Sequence, residues 1–288
     1  MEIFAYDDEP RRGRIERFEY TGTKGSRKYA LVYLPYGYDD DPQRRYNILY
    51  MMHGGGGSPD AWLDSCPFKN MLDRSFASGR AEPFIVVLPS FYAFGPKPRT
   101  GMVDQEFEHA SVLTFQKELE EQLLPAVEGR YRGFAEGTDP AALKKARAHR
   151  AFGGFSMGSV NTWYALFLHV DLFSVFVPLS GDCWALGIME GGKRPAQTAA
   201  ALRDAVKGKG FGPEDISVFA ATGTDDIAFS NLTPQIEAMR SLDDFFIFSE
   251  DYGRGNLHFL LADGMIHEYP AVCQYVYNYL PYLFKKAE

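Results

Sequence analysis

Ser156 stands between Gly154 and Gly158 in the run AHRAFGGFSMGSVNTWYALF, where an apolar segment gives way to a helical pattern. Small residues two positions either side of a serine suit a sharp strand-to-helix turn, in which the backbone passes close to its neighbours. Such a turn exposes the hydroxyl and sets it at a helix N-terminus, whose N–H groups face developing negative charge. The five-residue pattern also fits an ordinary tight turn. The strand pattern before it and the amphipathic pattern after it favour a nucleophile.

A serine hydroxyl needs a base to become a good nucleophile at neutral pH. The chain has six histidines. His149 precedes the serine's strand at the wrong end, and His169 falls at the far end of the following helix. His258 lies inside the strand LHFLLAD, where a core or surface role fits, and His109 sits in a loop with no assigned role. His53 opens the glycine run HGGGG. His267 follows the last strand across the loop GMI and precedes the last helix, where a sheet presents a general base. Asp225 and Asp226 follow the strand ISVFAATG, so the order serine, aspartate, histidine is that of an α/β-hydrolase. One of the two would orient the imidazole while the other caps the turn, and their types alone do not say which.

The stretch MMHGGGGSPDAW lacks the Lys-Ser/Thr ending of a phosphate loop. It suits a second purpose, because a tetrahedral intermediate needs two backbone donors converging on its oxyanion. Met157, next after the serine, supplies one, and Gly55 is the choice for the other. Gly54 and Gly56 are the near alternatives, and Gly56 is also a candidate substrate contact. No H-E-x-x-H is present, and Asp39, Asp40 and Asp41 read as a solvated turn, so neither a metal nor any other cofactor is expected.

Positioning these residues takes alternating elements. RIERFEY and KYALVYLP flank TGTKGSR, which predicts an antiparallel hairpin over 14–35. Apolar strands at 46–53, 84–89, 150–155, 174–180, 216–223 and 257–263 then alternate with helical patterns. Those begin near Pro67, cover 112–127, follow Ser156, cover 196–207 and 232–240, and close the chain. The expectation is one α/β domain over 1–288, of α/β-hydrolase type: a mostly parallel central sheet with helices on both faces and an N-terminal hairpin. Ligands in such sheets sit at the carboxyl ends of the strands, where Ser156, Asp225, Asp226, His267 and the glycine run fall.

Bulk properties narrow the class. The 288 residues are 45% hydrophobic and 24% charged, as in a soluble globular protein. A net charge of −8 excludes a surface built to neutralise phosphates, so nucleic acid is not an expected partner. The basic run KKARAHR (144–150) reads as a solvated approach to the next strand. No stretch approaches a membrane span, and the N-terminus has acidic residues where a secretory leader is basic and then apolar. A cytoplasmic location follows for the chain as given, or a secreted one if a leader has been removed. Cys66, Cys183 and Cys273 are widely spaced and read as buried free thiols.

GGFSMGSVNTWY, PLSGDCW, FAATGTDDIAFSNLTPQIEAM and YVYNYLPYLF together resemble the carbohydrate esterase family 1 feruloyl esterases that accompany xylanases, from about Arg14 to the C-terminus. The resemblance implies that Asp226 rather than Asp225 is the acid, that His267 is the base and that Trp184 borders a phenolic pocket. Ser159, where many relatives have a second glycine, and Glu268-Tyr269 after the base depart from the pattern.

The expected function is therefore a serine carboxylesterase acting on feruloyl (hydroxycinnamoyl) esters, small or linked to plant cell-wall polysaccharide, through an acyl-enzyme. Acetylxylan, a thioester such as S-formylglutathione, and a non-catalytic carbohydrate-binding role are the alternatives. A homodimer is the candidate assembly.

Overall fold

The computed structural model describes residues 9–93 and 104–285. Among the described residues, eight strands form one sheet: β1 (Arg14–Thr21), β2 (Arg27–Leu34), β3 (Ile48–Met52), β4 (Ile85–Leu88), β5 (Arg150–Phe155), β6 (Val175–Leu179), β7 (Ser217–Gly223) and β8 (Leu257–Ala262). Their order is β1-β2-β4-β3-β5-β6-β7-β8. The β1–β2 hairpin and the β2–β4 pair are antiparallel; every other pairing is parallel. The α/β-hydrolase expectation is met strand by strand.

The parallel strands β3 to β6 are buried throughout, as strands covered on both faces must be. The helices are α1 (Ala61–Ser65), α2 (Phe68–Ala77), α3 (Gln105–Glu118), α4 (Leu124–Arg130), α5 (Pro140–Lys145), α6 (Met157–His169), α7 (Glu190–Lys193), α8 (Pro195–Gly208), α9 (Phe229–Arg240) and α10 (Tyr269–Tyr279). Alternate residues of each strand feed two cores. On β2, Val32 and Leu34 join Val112, Trp163 and Leu202 on one face, while Leu31 and Tyr33 join Met71, Leu72 and Val276 on the other. Each such fully buried aliphatic or aromatic side chain contributes about 1.5 to 3 kcal/mol.

Three expectations are corrected. The helix placed at 112–127 begins at Gln105, where the Asp104 side chain accepts from the Phe107 amide, and it passes through a π turn at Leu119–Leu123 into α4. His109 therefore lies on a helix rather than in a loop. The run KKARAHR is not a solvated approach as a whole: Arg150 is fully buried against Glu128, and the Arg147 guanidinium bonds to the carbonyls of Val170, Phe173 and Asp215. Desolvating those guanidiniums is offset by paired acceptors. The three cysteines are buried and free.

Candidate active site

Ser156, the residue between β5 and α6, has φ 58° and ψ −115°, in the left-handed half of the backbone map. A non-glycine residue there is strained, and the neighbours enforce it. A Cβ on Gly158 would lie 2.6 Å from the Met52 carbonyl oxygen, and one on Gly154 would lie 2.7 Å from the Gly158 carbonyl. The Ser156 amide donates to the Leu179 carbonyl at 2.9 Å, tying the turn to β6.

The expected partners converge on this serine. Nε2 of His267 lies 3.0 Å from Ser156 Oγ, and Nδ1 lies 2.7 Å from Asp226 Oδ1. A carboxylate only accepts, so Nδ1 carries the proton and Nε2 accepts from the serine hydroxyl. Asp226 is buried, and its Oδ1 also accepts from the Ala228 amide at 2.7 Å. Burial raises its pKa, but the bonds from His267 and Ala228 outweigh that and hold it below the usual aspartate value. Asp225 points to solvent, with its amide on the Met265 carbonyl. The acid turn and the base loop meet at Gly223, where a Cβ would fall 1.9 Å from the Met265 carbonyl oxygen.

The glycine loop runs from β3, the strand next to β5, so it emerges beside the serine. Its amides divide clearly. Gly54 N–H donates to Tyr269 Oη at 3.0 Å, Gly56 N–H to Tyr92 Oη at 2.7 Å and Gly57 N–H to the Gly54 carbonyl at 3.1 Å. Among the described residues, neither the Gly55 nor the Met157 amide has an acceptor within the protein. A Cβ on Gly55 would lie 3.2 Å from Met157 Cγ, so the two residues that carry these donors are neighbours. Gly54 and Gly56, the alternatives weighed for the second donor, already have acceptors; Gly56 lines the cleft.

His53 sets this loop from behind. Its Nδ1 lies 2.7 Å from the Gly54 carbonyl oxygen, so Nδ1 donates, and Nε2 accepts from Ser90 Oγ at 2.8 Å. Burial drives its pKa down to about 4, which keeps the ring neutral, and the Gly54 carbonyl fixes this tautomer.

Ser156, Gly55, Met157 and His267 open onto a cleft of about 670 Å³ that Phe155, Trp184, Met189, Ile227 and Tyr269 also line. Trp184 is 95% buried, with only 5% of its surface exposed, and its indole donates to Asp182 Oδ1 at 3.0 Å. His109 stands behind it, bonded to Tyr164 Oη at 2.7 Å with its ring edge-on to the indole. The aromatic surplus at 91–94 falls elsewhere. Phe91 and Tyr92 are buried against His53, behind the loop, and Phe94 lies outside the described residues. Residue types alone gave no sign of Tyr92 or Tyr269 as partners of the loop, since both contacts span long sequence separations.

Comparison with known proteins agrees with this architecture. The Esterase family model matches residues 22–239. Endo-1,4-beta-xylanase Y of Acetivibrio thermocellus is 39% identical over 276 residues, which cover 96% of this chain and 23% of that protein. The chain thus spans about a quarter of that relative's length. Among solved structures, a mutant of the feruloyl esterase module from Clostridium thermocellum complexed with sinapinate is 38% identical, with a TM-score of 0.84, over 98% of this chain and 94% of that one. A carbohydrate esterase family 1 ferulic acid esterase from Anaeromyces mucronatus, in complex with ferulic acid, shares the fold at 19% identity and a TM-score of 0.72, over 97% and 93% of the two chains. The strained serine turn, the converging aspartate and histidine and these likenesses agree: the chain belongs to the Esterase family of α/β-hydrolases, alongside the carbohydrate esterase family 1 feruloyl esterases.

Proposed function

We propose that the protein is a serine carboxylesterase that hydrolyses hydroxycinnamoyl esters, such as the feruloyl esters of plant cell-wall polysaccharide. The observation that carries this reading is the unbroken chain from Asp226 through His267 to Ser156 Oγ, opening on a cleft beside two unengaged amides. Ser156 Oγ attacks the ester carbonyl carbon as Nε2 of His267 takes the hydroxyl proton. Asp226 stabilises the imidazolium, and the Gly55 and Met157 amides receive the oxyanion. The imidazolium returns the proton to the leaving alcohol, and a water activated by the same histidine releases the acid. No cofactor enters these steps. Because the acid, base, nucleophile and loop come from strands spread across one sheet, the chain acts as one catalytic unit.

The acyl group is inferred from two supports. Trp184, Phe155 and Tyr269 give the cleft flat apolar walls that an acetyl group would leave mostly unfilled. The relatives named above include a feruloyl esterase module with sinapinate and a ferulic acid esterase with ferulic acid. The test is hydrolysis of methyl ferulate, p-nitrophenyl acetate and S-formylglutathione side by side. Highest kcat/KM on methyl ferulate is expected; preference for either of the others would move the reading to a general esterase or a thioesterase.

A further inference from the structure

We propose that Tyr92 and Tyr269 are positioning residues for the oxyanion hole: their hydroxyls take the amides on either side of Gly55 and leave the Gly55 N–H as the loop's one donor turned to the cleft. The inference rests on the esterase reading and goes beyond it, to residues outside the serine, histidine and aspartate set.

The loop has four consecutive glycines, and glycine tolerates backbone conformations that other residues avoid. Without external restraint the peptide planes of such a loop would rotate, and a donor misplaced by about 1 Å can lose on the order of a hundredfold in rate. Three restraints meet here. The Gly54 carbonyl accepts from His53 Nδ1 at 2.7 Å and from Gly57 N–H at 3.1 Å. No described peptide bond is cis, so fixing that carbonyl directs the Gly55 N–H of the same peptide unit the opposite way. Tyr269 then holds the preceding peptide unit through Gly54 N–H, and Tyr92 holds the following one through Gly56 N–H.

Both tyrosines are themselves anchored, Tyr92 through its hydroxyl and Tyr269 through its ring. Tyr92 Oη lies 2.6 Å from each carboxylate oxygen of the buried Glu108, so its proton goes to Glu108 and its lone pair faces Gly56. The proximity of that carboxylate makes the phenol oxygen a better acceptor. The Tyr269 ring packs edge-on against Trp62, at 5.2 Å, and Phe155, at 4.9 Å. Tyr269 stands two residues after His267 at the start of α10, so the chain segment that carries the base also fixes the oxyanion loop.

Tyr92→Phe and Tyr269→Phe each remove one oxygen and keep the ring. With methyl ferulate, each is expected to lower kcat by on the order of tenfold with KM within about twofold. The inhibition constant of a styrylboronic acid, which forms a tetrahedral adduct on Ser156, is expected to rise by the same factor. Binding of ferulate, whose acid carbon stays trigonal, should stay unchanged. A purely structural role would lower the melting temperature without this split. Should Tyr92→Phe unfold because Glu108 loses a donor, Tyr269→Phe carries the test. Wild-type kcat and boronate affinity in Tyr269→Phe would overturn the inference while the esterase reading stands; a wild-type protein inactive on every ester would overturn both.

Discussion

Asp226 and His267 meet at 2.7 Å across 41 residues of chain, while Asp225, one residue earlier, faces solvent. Asp226→Asn removes the charge that stabilises the imidazolium and lets the ring take the wrong tautomer, so kcat on methyl ferulate should fall by on the order of a thousandfold or more. Asp225→Asn should stay within a few fold. Kinetics of the two purified variants decide it, and the reverse ranking would make Asp225 the acid.

Gly223 is where the acid turn and the base loop touch. A methyl group there would lie 1.9 Å from the Met265 carbonyl oxygen, and backbone must move to admit it. Gly223→Ala should therefore cost about 2 to 3 kcal/mol in stability and lower kcat, since Asp226 and His267 are carried on the two strands' ends that are forced apart. Urea denaturation together with turnover checks this. Unchanged values of both would mean the two loops are not held by this contact.

Trp184 is both packed and cleft-lining. Trp184→Ala should lower stability by about 3 to 5 kcal/mol and also shrink the ratio of kcat/KM for methyl ferulate over a matched methyl acetate ester. In the intact protein that ratio should be at least about a hundredfold, the order expected of several buried ring contacts. Lost stability with the ratio unchanged would make the indole a core filler only.

Stability should depend on pH through buried histidines. Burial lowers the pKa of His53 and of His169 from 6.5 to about 4. Between these values the unfolded chain binds more protons than the folded one, so stability rises with pH and is lost as pH falls from about 6.5 towards 4. Each ring contributes on the order of 3 kcal/mol across that window. Urea midpoints at pH 7 and pH 4.5 measure the sum, and His169→Gln should remove its own share. Equal midpoints at the two pH values would show that neither ring is held neutral by burial.

The strands were legible because β1 and β2 alternate on either side of a turn while the other six are short apolar runs bounded by turn residues, and the order serine, aspartate, histidine placed the site at their carboxyl ends. Helix starts were less so. The α3 start depends on Asp104 as a cap, and its first turns carry Glu106 and the buried Glu108, which weaken the apolar period. Helix α5 begins at Asp139-Pro140, where a cap followed by proline at the first helical position marks its start locally. The choice of Asp226 over Asp225 came from resemblance, since two adjacent aspartates differ only in the direction the turn gives them. The anchoring of the glycine loop by Tyr92 and Tyr269 depends on contacts 36 and 215 residues distant in sequence, which no local pattern encodes.

The esterase mechanism stands or falls on Ser156. Turnover of methyl ferulate by the intact protein and by Ser156→Ala, compared at equal enzyme concentration with folding checked by circular dichroism, probes it directly. The intact protein should hydrolyse the ester, and the folded variant should lose at least about a thousandfold in kcat. Near-normal hydrolysis by a folded Ser156→Ala protein would contradict it.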